Sequence, residues 1–189
     1  MEFLSELWMP IVLAAVLVFV VSSLVHMVFN WHKSDCRGVP GEAKVLDVLR
    51  PLNLAPGFYS MPHASSPKEC STPEMKAKFA QGPVAFLTVL PTGMPNIGKA
   101  LLQWFIYTLL VGTLCAYVAW HALSPGADYL SVYRITGAVA FGAYALAASV
   151  DSIWKGQPWG STLKFMFDGL LYALVTAGAF GWKWPGVTA

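Results

Sequence analysis

The sequence is short of charge. Lys, Arg, Asp and Glu together make up only 12% of its 189 residues, against roughly 25% in an ordinary soluble domain, and this argues against a soluble enzyme domain. Neither sign dominates: 12 basic and 10 acidic residues leave a net charge of +2. Nucleic-acid binding calls for a concentrated basic face, so nucleic acid is not an expected partner. Cysteine is scarce as well, and Cys36, Cys70 and Cys115 are too few and too scattered for a disulfide framework or a spaced zinc motif. Also missing are a Gly-x-Ser-x-Gly elbow, a phosphate-cradling glycine loop, a His-x-x-x-His pair and a Cys-x-x-Cys-His haem motif. Cys115 falls inside an apolar run, where a thiolate is disfavoured. These absences weigh against an enzyme.

What the chain has instead is long apolar runs. A helix crossing a hydrocarbon core of about 30 Å needs ~20 mostly apolar residues, and residues 9–29, 100–123, 129–150 and 165–182 each meet that need. The first run holds one ionisable group, His26; the third adds only Arg134 and the fourth only Asp168. A signal peptide has an apolar core of ~7–15 residues behind a basic start. The first run is longer and follows Glu2 and Glu6, so it reads as a retained anchor. Indole rings favour the two water interfaces, and Trp8, Trp31, Trp104, Trp120, Trp154, Trp159, Trp182 and Trp184 gather at the ends of the runs. The expected fold is an all-α integral membrane four-transmembrane-helix bundle, with a small α+β cytoplasmic cap between helices one and two. Its expected domains are the first helix (1–30), the extramembrane cap (31–98) and a three-helix region (99–189).

Cytoplasmic connections are enriched in Lys and Arg. One side of this layout collects Lys33, Arg37, Lys44, Arg50, Lys68, Lys76, Lys78, Lys99, Lys155 and Lys164, and the other only Lys183, with Arg134 nearby. Both termini therefore read as non-cytoplasmic. Arg134 near Asp128, and His121 with Trp120 and Tyr117, read as anchors on that outer face. The stretch 31–98 is too long for a plain connection. Within it, residues 41–50 have the helical spacing of Val45, Val48 and Leu49, and Thr72-Pro73 opens a second helix that Gly82 can end. Residues 57–61 and 84–90 are strand-like and can pair as a ribbon, and residues 62–72 read as an irregular loop.

Small side chains let helix backbones approach in lipid. Gly169, Ala173, Ala177 and Gly181 recur every four residues on helix four, and helix three answers with Ala138, Gly142, Ala143, Ala147 and Ala148. These faces predict a tight hairpin of helices three and four.

Ionisable groups inside a membrane are functional candidates by default. His26, Gln103 and Asp168 fall at a shared depth of roughly 6–8 Å below the cytoplasmic interface. Asp151 approaches from the end of helix three, and Lys164 stands four residues before Asp168. This layer reads either as a proton-bearing or ligand-binding pocket or as a neutral hydrogen-bond network that fixes helix register. A second constellation is Trp31-His-Lys-Ser-Asp-Cys36, in which His32, Asp35 and Cys36 share a helical face and His63 or Cys70 could complete a metal site. The plainer reading is that His32 and Asp35 cap the juncture between helix one and the cap. No resident cofactor is expected, a transition metal being the weakest candidate.

The segment Ser152-Ile-Trp-Lys-Gly-Gln-Pro-Trp159, the run Phe167-Asp-Gly-Leu-Leu-Tyr-Ala-Leu-Val-Thr-Ala-Gly-Ala-Phe-Gly-Trp182 that follows, and the Trp31-His-Lys-Ser-Asp35 juncture resemble an uncharacterised group of bacterial four-span integral membrane proteins. The resemblance implies a bacterial inner-membrane protein with four spans and transfers no catalytic residue. Cys36 stands where that group has an aromatic residue, which weakens a cysteine-based metal site. The leading expectation is a non-catalytic accessory or structural subunit that packs in the bilayer against a larger membrane complex or copies of itself. A small proton-linked transporter or channel and a membrane metal or redox protein are the alternatives.

Overall fold

The computed structural model describes residues 2–186, so positions 1 and 187–189 of the outer expected domains lie outside the described residues. In chain order the elements are α1 (Glu2–Met27), α2 (Glu42–Leu49), β1 (Gly57–Met61), α3 (Pro67–Cys70), α4 (Pro73–Gln81), β2 (Ala85–Val89), α5 (Ile97–Ala122), α6 (Tyr129–Tyr144), α7 (Ser149–Lys155) and α8 (Trp159–Trp182). Short 3-10 turns follow α1, α2 and α6. The chain divides into a helical unit, made of the residues up to Cys36 and those from Asn96 onward, and a second unit, Arg37–Pro95. Residues 31–36 thus belong with the helices, not with the expected cap of 31–98.

Four stretches of the helical unit are long and apolar enough to cross a membrane: α1, α5, α6 with its continuation α7, and α8. Their starts follow local chemistry. The Lys99 N–H donates to the Asn96 side chain at the head of α5, and the Ser131 N–H donates to Asp128 at the head of α6. The packing is small inside and large outside. Ala14, Ala15, Ala116, Ala119, Ala140, Ala173 and Ala177 are buried, whereas Val12, Val16, Val20, Leu102, Ile106, Leu110, Leu163, Phe167 and Leu174 are exposed. In water that arrangement would be unfavourable; in lipid, whose chains are as apolar as leucine, close backbone contact decides the interface.

α8 lies close against the third span at both ends of α6. A Cβ placed on Gly169 would sit 2.8 Å from the backbone nitrogen and Cα of Ala145, and one on Gly181 would sit 2.6 Å from the Tyr129 ring. Ala173 and Ala177 are buried on the same stripe, and a Cβ on Gly137 would meet Ala177 at 3.3 Å. Gly142 departs from the expected face: nothing lies within 4 Å of its missing Cβ. The helix that carries it ends two residues later, so its small face is not continued along α8.

The third span is not one continuous helix. α6 ends at Tyr144, residues Leu146–Ala148 form a 3-10 turn, and α7 resumes the path. The Ala143 carbonyl accepts from the Tyr107 hydroxyl at 2.9 Å, and a backbone acceptor in apolar surroundings needs such a partner. Beyond the break, the hydroxyls of Ser152 on α7 and Thr162 on α8 meet at 2.5 Å in a buried contact.

In the second unit β1 and β2 form an antiparallel ribbon with Tyr59 opposite Leu87, and Phe58 stacks on Phe86 with centroids 5.3 Å apart. Thr72 caps α4 by accepting from the Met75 N–H. Residues 62–72 are less irregular than expected: Ser66 caps the short α3 by accepting from the Glu69 N–H. The expected apolar face of α2 is not covered, since α2 buries none of its residues and Val48 is 69% exposed. Met75 is the one buried apolar side chain among this unit's described residues.

Candidate functional site

The site forms where the chain leaves α1. The Phe29 N–H reaches back to the Leu24 carbonyl, Phe29 itself is extended, and the 3-10 turn Asn30–Ser34 follows. The condition on which His32, Asp35 and Cys36 share one α-helical face, helix one continuing past residue 30, is therefore not met. The turn carries His32 onto α8, where its Nε2 lies 2.7 Å from Asp168 Oδ2. His32 Nδ1 lies 2.7 Å from Asp35 Oδ2. Asp35 Oδ1 in turn accepts from Lys164 Nζ at 2.7 Å and from the Ser161 hydroxyl at 3.1 Å. Lys164 also donates to the Trp31 carbonyl and the Ser34 hydroxyl, at 2.6 and 2.8 Å. One lysine thus gathers the whole juncture against α8.

His26, near the end of α1, completes the cluster. Its Nε2 stands 3.9 Å from Asp168 Oδ2 and 3.5 Å from the Tyr172 hydroxyl, and its ring lies 4.6 Å from that of His32. Phe165 packs 4.9 Å from the His32 ring, and Trp31 meets Phe167 edge to face at 5.5 Å. Aromatic rings therefore flank the site. The Asp168 side chain is only 2% exposed, whereas that of His26 is 43% exposed. Asp168 Oδ1 is buried with no hydrogen-bond partner, a costly arrangement for a polar atom. His26, His32 and Asp168 each offer a ligand atom, and these atoms lie within 4.8 Å of one another.

The Lys164 ammonium, aided by the His32 and Ser161 hydrogen bonds, lowers the Asp35 pKa from 3.8 to about 2 against partial desolvation. Asp35 is thus an acceptor, and His32 Nδ1–H donates to it. That pairing turns Nε2 toward Asp168 Oδ2, 2.7 Å away. At the opposite end of the bundle, Asp128 is held below the usual carboxylate range by the Ser131 hydroxyl and amide.

The two constellations that the sequence presents separately meet here, but not in full. His26, Lys164 and Asp168 come together with His32 and Asp35. Gln103 is exposed on α5, and Asp151 pairs with Lys155 at 2.6 Å; both stand apart from the cluster. Cys36 and Cys70 are exposed free thiols, and His63, in the second unit, meets the Ser60 hydroxyl at 3.1 Å through Nδ1. Ser161 and Tyr172 were not anticipated. Both lie on the face of α8 that carries Asp168, at helical spacing, and that periodicity was the available signal.

No protein-family model, curated protein or solved structure matches the chain. The chemistry rests on these residues alone.

Proposed function

We propose that the chain is a multi-pass protein of the bacterial cytoplasmic membrane, both termini on the non-cytoplasmic side. In this reading it is a non-catalytic accessory subunit whose helical unit anchors the Arg37–Pro95 unit on the cytoplasmic side for a membrane-protein partner. The observation that carries this reading is the poor covering of the second unit. With Met75 its one buried apolar side chain among the described residues, it leaves Val48, Leu52, Val84, Phe86 and Leu90 between 49% and 69% exposed. Five large apolar side chains so exposed on one small unit are surface that a partner would cover. The polar node supports the same reading from the membrane side, because Lys164 and Asp35 secure the chain at the point where it leaves the helices.

A proton-linked pathway has less to stand on. Gln103 and Asp151 are away from the cluster. The buried hydroxyls of Thr108 and Thr136 donate to carbonyls of their own helices.

Native mass determination after gentle extraction from the source membrane, with every co-purifying chain identified, tests the proposal. A stoichiometric assembly with another membrane protein is expected. A solitary chain would overturn it, and a pure homo-oligomer would turn the argument toward transport. A C-terminal reporter that works only in the cytoplasm should stay silent; activity would overturn the orientation.

A further inference from the structure

We propose that His26, His32 and Asp168 bind one divalent first-row transition metal ion, with Asp35 as the residue that positions His32. The donor set is two imidazole nitrogens and one carboxylate, which suits zinc and its neighbours. The three ligand atoms lie within 4.8 Å of one another, and the two separations to Asp168 are close to what an ion needs. Ligands of a tetrahedral ion at ~2.0–2.1 Å lie ~3.3–3.4 Å apart. The His32–Asp168 contact of 2.7 Å must open by about half an ångström, and the His26–Asp168 separation of 3.9 Å must close by about as much.

Two further observations point to a ligand. Asp168 is 1% exposed, and its Oδ1 is buried without a partner; a bound cation would compensate that carboxylate. His32 Nδ1 is bonded to Asp35 Oδ2 at 2.7 Å, the carboxylate–histidine pairing that fixes tautomer and ring orientation so that Nε2 faces a metal. Asp35 is held in turn by Lys164 and Ser161. With three protein ligands, a fourth position is left for water or another donor. The half-exposed His26 places that opening on its side of the site.

Full-length protein carrying a tag without histidine, purified in detergent and stripped with chelator, would be titrated with Zn(II) by calorimetry and with Co(II) by visible absorption. One ion per chain is expected, with d–d bands of a four-coordinate nitrogen and oxygen site. His26→Ala and Asp168→Asn should each weaken binding at least tenfold. Asp35→Asn should weaken it by roughly 10–100-fold and alter the Co(II) spectrum, and Asp35→Glu should restore part of both. His63→Ala and His121→Ala should change nothing. Absence of a stoichiometric ion, or binding lost with His63 or His121 and retained in His26→Ala, would overturn the assignment. If Asp168→Asn does not fold, His26→Ala decides the matter, because its side chain is half-exposed and makes no short hydrogen bond.

Discussion

Replacing Gly169 by alanine tests the close packing that positions Asp168 one residue away. The new methyl group would lie 2.8 Å from the nitrogen, Cα and Cβ of Ala145. These are atoms that cannot swing aside, because Ala145 is fully buried and stands at the break of the third span. Gly142→Ala is the matched control, since nothing lies within 4 Å of its missing Cβ. Both glycines are helical, so each substitution gains a similar stabilisation, roughly 0.5–1 kcal/mol, from reduced backbone freedom. That term cancels in the comparison. What remains is overpacking, about 1–3 kcal/mol, and Gly169→Ala should be less stable than Gly142→Ala by that amount. Gly181→Ala should fall between them, because its methyl group would meet the edge of a 43% exposed Tyr129 ring, a side chain and not backbone. Reversible unfolding in mixed micelles at increasing SDS, followed by circular dichroism, gives all three values on one scale. Equal stability of Gly169→Ala and Gly142→Ala would refute the close approach of α8 to Ala145.

Two other predictions follow from single contacts. Asp35 has a lowered pKa in the folded chain, so its stabilising contribution is complete above its ordinary value of 3.8 and is lost as pH falls toward about 2. Asp35→Asn should accordingly destabilise the protein at pH 6 and differ little from the parent at pH 2, as read from unfolding midpoints; a difference independent of pH would contradict the Lys164 pairing. The Trp104 indole N–H donates to the Ser22 hydroxyl at 2.9 Å and joins α5 to α1. Interhelical hydrogen bonds in membranes contribute about 0.6–2 kcal/mol. A double-mutant cycle of Ser22→Ala and Trp104→Phe should return a coupling in that range, and a coupling of zero would show that the two helices do not depend on this bond.

The four apolar stretches were legible because length and hydropathy are properties of a continuous segment. The ends were read less well. α1 begins at Glu2 and α8 at Trp159, earlier than the apolar runs, since a helix can start in polar sequence wherever a turn allows it. The break at residues 145–148 carries neither glycine nor proline. It coincides with the tertiary contact at Gly169 and with Tyr107 supplying a donor to Ala143, and local sequence holds no trace of either. The ribbon and α4 announced themselves through Pro, Gly and a Thr-Pro start, whereas the sparse burial of α2 depends on contacts that periodicity cannot count. At the site, shared depth correctly suggested His26 and Asp168 as neighbours. It also suggested Gln103, because depth fixes height along a helix and not the direction in which a side chain points. His32 could not be placed from spacing, since its contact with Asp168 spans 136 positions and depends on the 3-10 turn after α1.

That turn separates two roles within one cluster. Holding the juncture to α8 needs Lys164, Asp35 and His32, and these already satisfy one another through short contacts. Asp168 could have been replaced in that task by a neutral acceptor, with no buried carboxylate to compensate; its second oxygen contributes no hydrogen bond, and desolvating a carboxylate is expensive. His26 adds less still to the clamp, standing 3.9 Å from the nearest carboxylate oxygen. A purely mechanical node uses one Asp168 oxygen, on His32, and leaves the other oxygen and His26 with little to do; the proposed metal ion would employ both groups. The distinction has an experimental form. His26→Ala should leave the unfolding midpoint of the metal-free protein close to that of the parent and remove the stabilisation that added Zn(II) confers, which for a site-specific ion rises with its concentration above Kd. A midpoint lowered equally with and without metal would assign His26 to the clamp.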